Sequence, residues 1–503
     1  MERLEQPSLA LAMGLAGGPN GAKAVFKNKF SRAFRSFDNL SEARKTVGVS
    51  RSEALVVLDG NVLMMQTPSS VDTWTGYVSV LVGQINNAIQ AAGHVVVVFD
   101  EPKAMTQAKR EEQKARDARR TPQTPLCSDD LVTCPTNDEF ALDELQAEGL
   151  NVRLLLNHRA ARPRFYDALC VAVLQHFQAN LQGSNWSLTF DGIDGHGADR
   201  PLDEPRVAGI VSSHPEVWNG VLAREQPMGE GDLKLTDVCS RVYRQRVENP
   251  DSPLAKVVLN MIWTIDTDSF LIELLQQSRR EARPTDSGGE QVTLLALREP
   301  ARKRKGDAFP SSSFFQCIDM AMFFDEVMSY MFGSNVQLGS RAEFAIRKQH
   351  TCALLAAAVA LCGCDFVQIP GLRCDLILPC VRDVARNDPA ALLAMAGAFT
   401  GKAEHVRTAE VGIRAVVNNY LDSISGLGGR LTQSFNKASA FNDSQILRAC
   451  WITSYWLGNE FIEVYQWGFG HAASLEHDAP AAPAASATRR QQRRIASCDA
   501  TSE

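Results

Sequence analysis

Short apolar runs recur along the chain, and segments of helical spacing fill the intervals between them. Residues 54–58, 94–99, 207–211 and 257–265 are rich in Val, Ile and Leu. Near-continuous apolar runs of that length suit strands of a parallel sheet covered on both faces. Residues 74–92 and 165–181 carry the helical period, so strand and helix alternate and the chain reads as α/β. From residue 314 onward the pattern is mostly helical, over 314–332, 343–361 and 446–466. Three stretches lack a period. Residues 191–205 are rich in Gly, Asp and Pro. Residues 278–313 hold Pro284, Ser287-Gly288-Gly289 and the basic run at 302–305, and residues 475–503 are dominated by Ala, Pro, Ser and Arg. The expected organisation is a core over 1–277 with an insertion near 120–206, a flexible basic loop over 278–313, a helical part over 314–474 and a disordered tail over 475–503. No internal repeat is visible.

The chain has 503 residues, 45% hydrophobic and 22% charged, which excludes a wholly disordered, collagen-like or fibrous protein. That length admits one large domain with insertions or two domains. The longest apolar stretch, near 354–364, is too short for a membrane span and runs into Asp365. Glu2 and Glu5 stand where a secretory signal would be basic, so a nuclear or cytoplasmic protein is expected. The net charge of −6 means that any nucleic-acid contact must come from local basic patches. The 12 cysteines include no CxxC pair, and Cys362-Gly363-Cys364 is the closest spacing. Reduced thiols are expected, and no zinc-ligand spacing is present.

The acids stand at the ends of the apolar runs. Asp59 follows Leu55-Val56-Val57-Leu58, Asp100 follows Val95-Val96-Val97-Val98-Phe99, and Asp266 and Asp268 follow Ile262-Trp263-Thr264-Ile265. Ligands of open parallel sheets bind at the carboxyl ends of strands, so these acids are expected to converge. Any one of them is also what a helix N-cap or a turn requires. Gathered together they repel unless cations sit among them, and all-oxygen ligands point to Mg²⁺ or Mn²⁺. Gly229-Glu230-Gly231-Asp232 adds two acids before a helix through Val238 and Val242. Asp365 ends an Ala-rich helix, where the dipole disfavours an acid.

These motifs together resemble the metal-dependent 5′ nucleases: flap endonucleases, the related excision-repair endonuclease and the Xrn-type 5′-to-3′ exoribonucleases. Leu58-Asp59-Gly60-Asn61 resembles the first family acid. Val98-Phe99-Asp100-Glu101-Pro102-Lys103 resembles V-F-D-G-x-x-P, with Glu101 in place of Gly. Gly229 to Leu235 is nearest the Xrn form G-E-G-E-H-K-I, and Asp266-Thr267-Asp268 resembles D-x-D. Cys362-Gly363-Cys364-Asp365-Phe366 resembles G-x-D-[YF]. The likeness extends to the flap-endonuclease-like proteins of large DNA viruses, for which the compartment would be that of the host cell.

The resemblance implies a PIN-like parallel twisted sheet flanked by helices, with a helical arch and a mostly helical C-terminal part. It implies two divalent ions about 4 Å apart hydrolysing a phosphodiester by in-line attack. Asp59, Asp100, Glu230 and Asp232 would serve one ion, and Asp266, Asp268 and Asp365 the other, with Asp232 shared. The arch helix would lie near 103–120, where seven Lys and Arg face three acids. Lys109, Arg110, Lys114 and Arg116 would meet the reacting phosphate, with Lys103, Arg119 and Arg120 binding nucleic acid beside them. The same run is also what a solvated charged helix looks like. Gly14, in Met13-Gly14-Leu15, would correspond to the family's N-terminal Met-Gly.

The expected substrate is DNA bearing a 5′ flap, nick or gap. RNA is the alternative, by an Xrn-like exonuclease, and a catalytically inactive nucleic-acid-binding scaffold is the rival of another class. Residues 23–35 interleave Lys and Arg with Phe26, Phe30 and Phe34, which fits either a backbone-tracking surface or a helix packing its Phe face on the core. The C-terminus carries no sliding-clamp box.

Overall fold

The computed structural model describes residues 21–67, 71, 73–101, 161–180, 186–196, 207–225, 228–266, 268–282, 291–299, 314–333, 340–364, 367, 372–425 and 443–458. Gly14, Lys103, Lys109, Arg110, Lys114, Arg116, Arg119, Arg120 and Asp365 lie outside them.

The strands are β1 (Phe34–Phe37), β2 (Ala54–Asp59), β3 (His94–Val98), β4 (Ser187–Ile193), β5 (Gly209–Ser212), β6 (Leu259–Thr264), β7 (Val292–Glu299) and β8 (Phe314–Asp319). They form one sheet in the order β1-β8-β7-β6-β2-β3-β4-β5. The five central strands, β7-β6-β2-β3-β4, are parallel, whereas β8 and β5 run antiparallel to them at the flanks and β1 pairs antiparallel with β8. The fold is therefore α/β as expected, with a mixed sheet in place of a purely parallel one.

The helices are α1 (Ala22–Lys29), α2 (Leu40–Val47), α3 (Gly60–Met65), α4 (Trp74–Ala91), α5 (Ala161–Asn180), α6 (Pro215–Leu222), α7 (Gly231–Glu248) and α8 (Asp268–Ala282). Then follow α9 (Met320–Phe332), α10 (Arg341–Leu361), α11 (Cys374–Asn387), α12 (Pro389–Ala394), α13 (Ala403–Thr408), α14 (Glu410–Ser425) and α15 (Asp443–Trp456). None of the described helices is long and apolar enough to cross a membrane.

Every residue of β2 is buried, because helices cover both faces of the sheet. Alternate side chains enter opposite cores, as the two-residue period of a strand requires. Leu55, Val57, Val96 and Val98 join the core that holds α7 to α11. Val56, Leu58, Val95 and Val97 join the one beneath α4 and α5. The Ala-rich α10 is buried along its second half, where small side chains let neighbouring helices close around it. Its start is fixed by a capping box: the Glu343 amide donates to Ser340 Oγ (3.3 Å), and the Ser340 amide donates to Glu343 Oε2 (2.7 Å).

The structure corrects the expected organisation in three places. Residues 278–313 are not one flexible loop, because α8 reaches Ala282 and Val292–Glu299 is a central strand. The basic, glycine-containing surroundings hid the short apolar run Leu294-Leu295-Ala296-Leu297 within that strand. Residues 314–319 are strand, not helix, since β7 supplies a partner and a short apolar run does not reveal its own period. The proposed insertion near 120–206 contains α5 and β4, both integral to the core, and residues 191–193 extend β4. The Phe face of α1 packs inward. Phe26 and Phe30 are buried against Phe270 and Phe323, while Lys27, Lys29, Arg32 and Arg35 face solvent.

At the opposite end of the sheet from the acids, the partly buried His94 ring shares a hydrogen bond with Ser187 Oγ (2.8 Å). Burial, with smaller contributions from His214 and Arg51, pushes its pKa from 6.5 down to about 4. The unfolded chain therefore binds this proton more readily. Its stabilising effect is whole above pH 6.5 and is lost as pH falls to about 4. Urea unfolding in EDTA should show a loss on the order of 2–3 kcal/mol across that window. His94→Asn should flatten that part of the profile, and an unchanged slope would assign the acid sensitivity elsewhere.

Candidate metal centre

Three parallel strands deliver acids to one edge. In the sheet register Asp59 pairs with Val98, and Leu58 with Trp263. Asp59 is thus the last residue of β2, and Asp100 and Asp266 each stand two residues beyond the ends of β3 and β6. Adjacent parallel strands leave these residues nowhere to diverge, which is the sheet-edge geometry expected from the sequence.

Asp59 caps α3, accepting the amides of Asn61 (2.9 Å) and Val62 (3.3 Å) on Oδ1. Asp100 Oδ1 accepts the Gly231 amide at 2.7 Å, at the first turn of α7. A side chain at Gly231 would crowd Asp100, because a Cβ there would lie 3.2 Å from Asp100 Oδ1, with Asp59 Oδ1 in ordinary contact at 3.9 Å. The second glycine of Gly229-Glu230-Gly231-Asp232 thus lets the α7 backbone approach Asp100 closely. The Glu101 amide in turn donates to the Gly229 carbonyl at 2.8 Å, so the two loops are joined in both directions.

Glu230 is the buried N-cap residue of α7, and Asp232 lies in its first turn. Ser269 Oγ donates to Asp232 Oδ1 at 3.4 Å, which brings the start of α8, and Asp268, beside the start of α7. Asp266 Oδ1 accepts the Asp268 amide at 3.1 Å, and Thr264 Oγ1 accepts the Asp266 amide at 3.0 Å. Two helix N-termini therefore face the acids, and their dipoles partly offset the negative charge.

That offset is incomplete. Burial first, and then the Asp100 charge, raise the Asp59 carboxyl from 3.8 to about 7. The Val62 and Asn61 amides oppose this shift, and Asp266 adds to it. Buried like charges in mutual reach form the electrostatic ground for a cation.

Two participants were not identified from the sequence. Tyr166 of α5 places its ring 5.4 Å from Phe99. Its phenol is pushed well above its ordinary range by burial, against the pull of Arg162, and the charges of Asp100 and Asp59 add to the rise. It stays a hydroxyl at the edge of the acid group. No pattern in the sequence singles it out. Lys234 of α7 is only 1% exposed. A sequence signal for it existed: Lys234 shares the four-residue stripe of Val238 and Val242, so a cation stands in a core phase.

Among the described residues, no three His, Cys, Asp or Glu side chains close on one point as ligands of a single ion. The donors nevertheless fit Mg²⁺ or Mn²⁺. They are hard oxygens, the Asp59 and Asp100 carboxylates both lie beside Gly231, and Mg²⁺ is commonly held by one or two carboxylates with water completing its shell. Asp59 and Asp100 are the residues that would hold such an ion. The grouping of Asp266 and Asp268 with Asp365 rests on a residue outside the described set. No protein-family model matches this sequence, and a search of curated proteins finds no match.

Proposed function

We propose that the chain is a divalent-metal-dependent 5′ nuclease with a PIN-like core, hydrolysing phosphodiesters at DNA flaps, nicks or gaps. The observation that carries this reading is the edge at which Asp59, Asp100 and Asp266 end three neighbouring parallel strands, with Asp100 drawn onto the first turn of α7. A carboxylate lifted to about 7 by burial and its acidic neighbours is costly to keep without a cationic purpose. Bound Mg²⁺ would supply the charge that activates water and stabilises the leaving oxygen.

The chain's own residues do the rest. Asp59 and Asp100 fix the oxygen donors, and the Gly231 amide holds Asp100 in place. Glu230, Asp232, Asp266 and Asp268 extend the acidic rim on which hydrated cations are retained. The Tyr166 hydroxyl offers a neutral donor at that rim. Lys109, Arg110, Lys114 and Arg116, on the segment after Asp100, would neutralise the reacting phosphate, with Lys103, Arg119 and Arg120 flanking it.

The test is cleavage of a 5′-labelled flap duplex in Mg²⁺ and in EDTA, beside an RNA version of the same tailed substrate. Metal-dependent cutting near the flap junction is the expected result. Preferential degradation of the RNA strand would move the assignment to an Xrn-like exoribonuclease. Binding without cutting of either would leave a scaffold and overturn the proposal.

A further inference from the structure

Lys234 is the one fully buried lysine among the described residues, and it lies two positions after Asp232. Its Nζ is 3.4 Å from Asp191 Oδ1 and 3.8 Å from Glu101 Oε2. An ammonium removed from water needs such partners, because its desolvation costs far more than one exposed ion pair returns. Three segments meet on this one atom: the loop after β3, the end of β4, and the first turn of α7.

The backbone is shaped around it. Gly192 adopts φ +94, and a Cβ there would lie 2.9 Å from Lys234 Nζ and 2.8 Å from the Phe99 carbonyl. The β4–β5 register shifts at this same point, between Asp191 and Ile193. The Phe99 amide donates to the Asp191 carbonyl at 2.9 Å, so the loop carrying Asp100 is tied to β4 as well. Glu101 directly follows Asp100 and occupies the place where the resembled nucleases have Gly; here it is a partner for the lysine.

We propose that Lys234 is a positioning residue that, by holding Glu101 and Asp191 together, clamps the Asp100 loop against α7 and sets the spacing of the cation-binding acids. This inference rests on the metal-site reading above. Its chemistry differs from simple charge balance in the sign of one effect. Removing a nearby positive charge favours cation binding by Coulomb's law alone. Loosening the clamp weakens it, because residues that orient metal ligands change affinity by roughly 10–100-fold when lost.

The experiment is Mn²⁺ binding to the full chain, followed by electron paramagnetic resonance, with thermal melting recorded in parallel. Lys234→Met is expected to weaken Mn²⁺ binding by about 10-fold or more. Glu101→Gln is expected to weaken it in the wild-type background and to add nothing in the Lys234→Met background. Lys234→Arg keeps the charge, changes the geometry beside Gly192, and is expected to weaken binding too; it answers the question if Lys234→Met does not fold. Tighter or unchanged Mn²⁺ binding in the folded variants, even with lowered melting temperature, would overturn the clamp and leave a structural ion pair. Absence of Mn²⁺ binding by the wild-type chain would instead overturn the metal-site reading itself, and the clamp with it.

Discussion

Asp59→Asn is expected to abolish Mg²⁺-dependent cleavage and, in EDTA at pH 8, to make the protein more stable. The cleavage loss should be roughly 10³-fold or greater, since a carboxylate that fixes the catalytic cation controls several kcal/mol of barrier. The stability gain follows from the sign of the Asp59 shift. Its folded pKa of about 7 lies above the ordinary 3.8, so folding favours the protonated form. Below 3.8 the acid is protonated in both states and the substitution gains nothing. Between 3.8 and about 7 the penalty grows, and above that it is whole, on the order of 2–4 kcal/mol. Asn keeps an oxygen for the Asn61 and Val62 amides, so the α3 cap survives. Chemical denaturation of both proteins in EDTA at pH 5 and pH 8, with flap cleavage in Mg²⁺, measures the two effects. A variant that is inactive and also less stable at pH 8 would mean that Asp59 serves the fold and not a charge cluster.

Arg224→Ala is expected to cost about 3 kcal/mol, near the lower end for breaking a buried ion pair. Arg224 is 8% exposed and donates to Asp191 Oδ2 at 2.7 Å and Asp237 Oδ2 at 2.8 Å. Its removal leaves two nearly buried carboxylates short of a partner. The loss stays below the extreme because Lys234 still lies 3.4 Å from Asp191, and Arg241 2.7 Å from Asp237. Urea unfolding at pH 7.5 is the measurement. A change under about 1 kcal/mol would mean that those two cations carry the network alone.

The acids at the strand ends were legible because their position is a local property. A run such as Val95-Val96-Val97-Val98 announces a doubly buried strand, and the residue that ends it must stand at the sheet edge. The helices α4 and α7 were legible because each carries its period over four or more turns, and α10 because its apolar run is too long for a strand. The short strands were not. The run beginning at Phe314 reads as helix on its own, because its partner β7 is hidden inside a basic, glycine-containing stretch. Strand identity there comes from pairing, and pairing is not written within either segment.

The sequence by itself determined the α/β class, the buried central strands and the placement of Asp59, Asp100 and Asp266 at their ends, because alternation and burial act over a few consecutive residues. Only the tertiary structure decided what surrounds those acids. The Gly231 amide reaches Asp100 across 131 positions of sequence. Lys234 joins Glu101 to Asp191, Tyr166 comes to the rim from α5, and the sheet is closed by antiparallel flanks. Each of these depends on which distant segments the folded core brings within hydrogen-bonding or Coulombic reach, and that is set by packing the two faces of the sheet and not by the order of residues along any one strand.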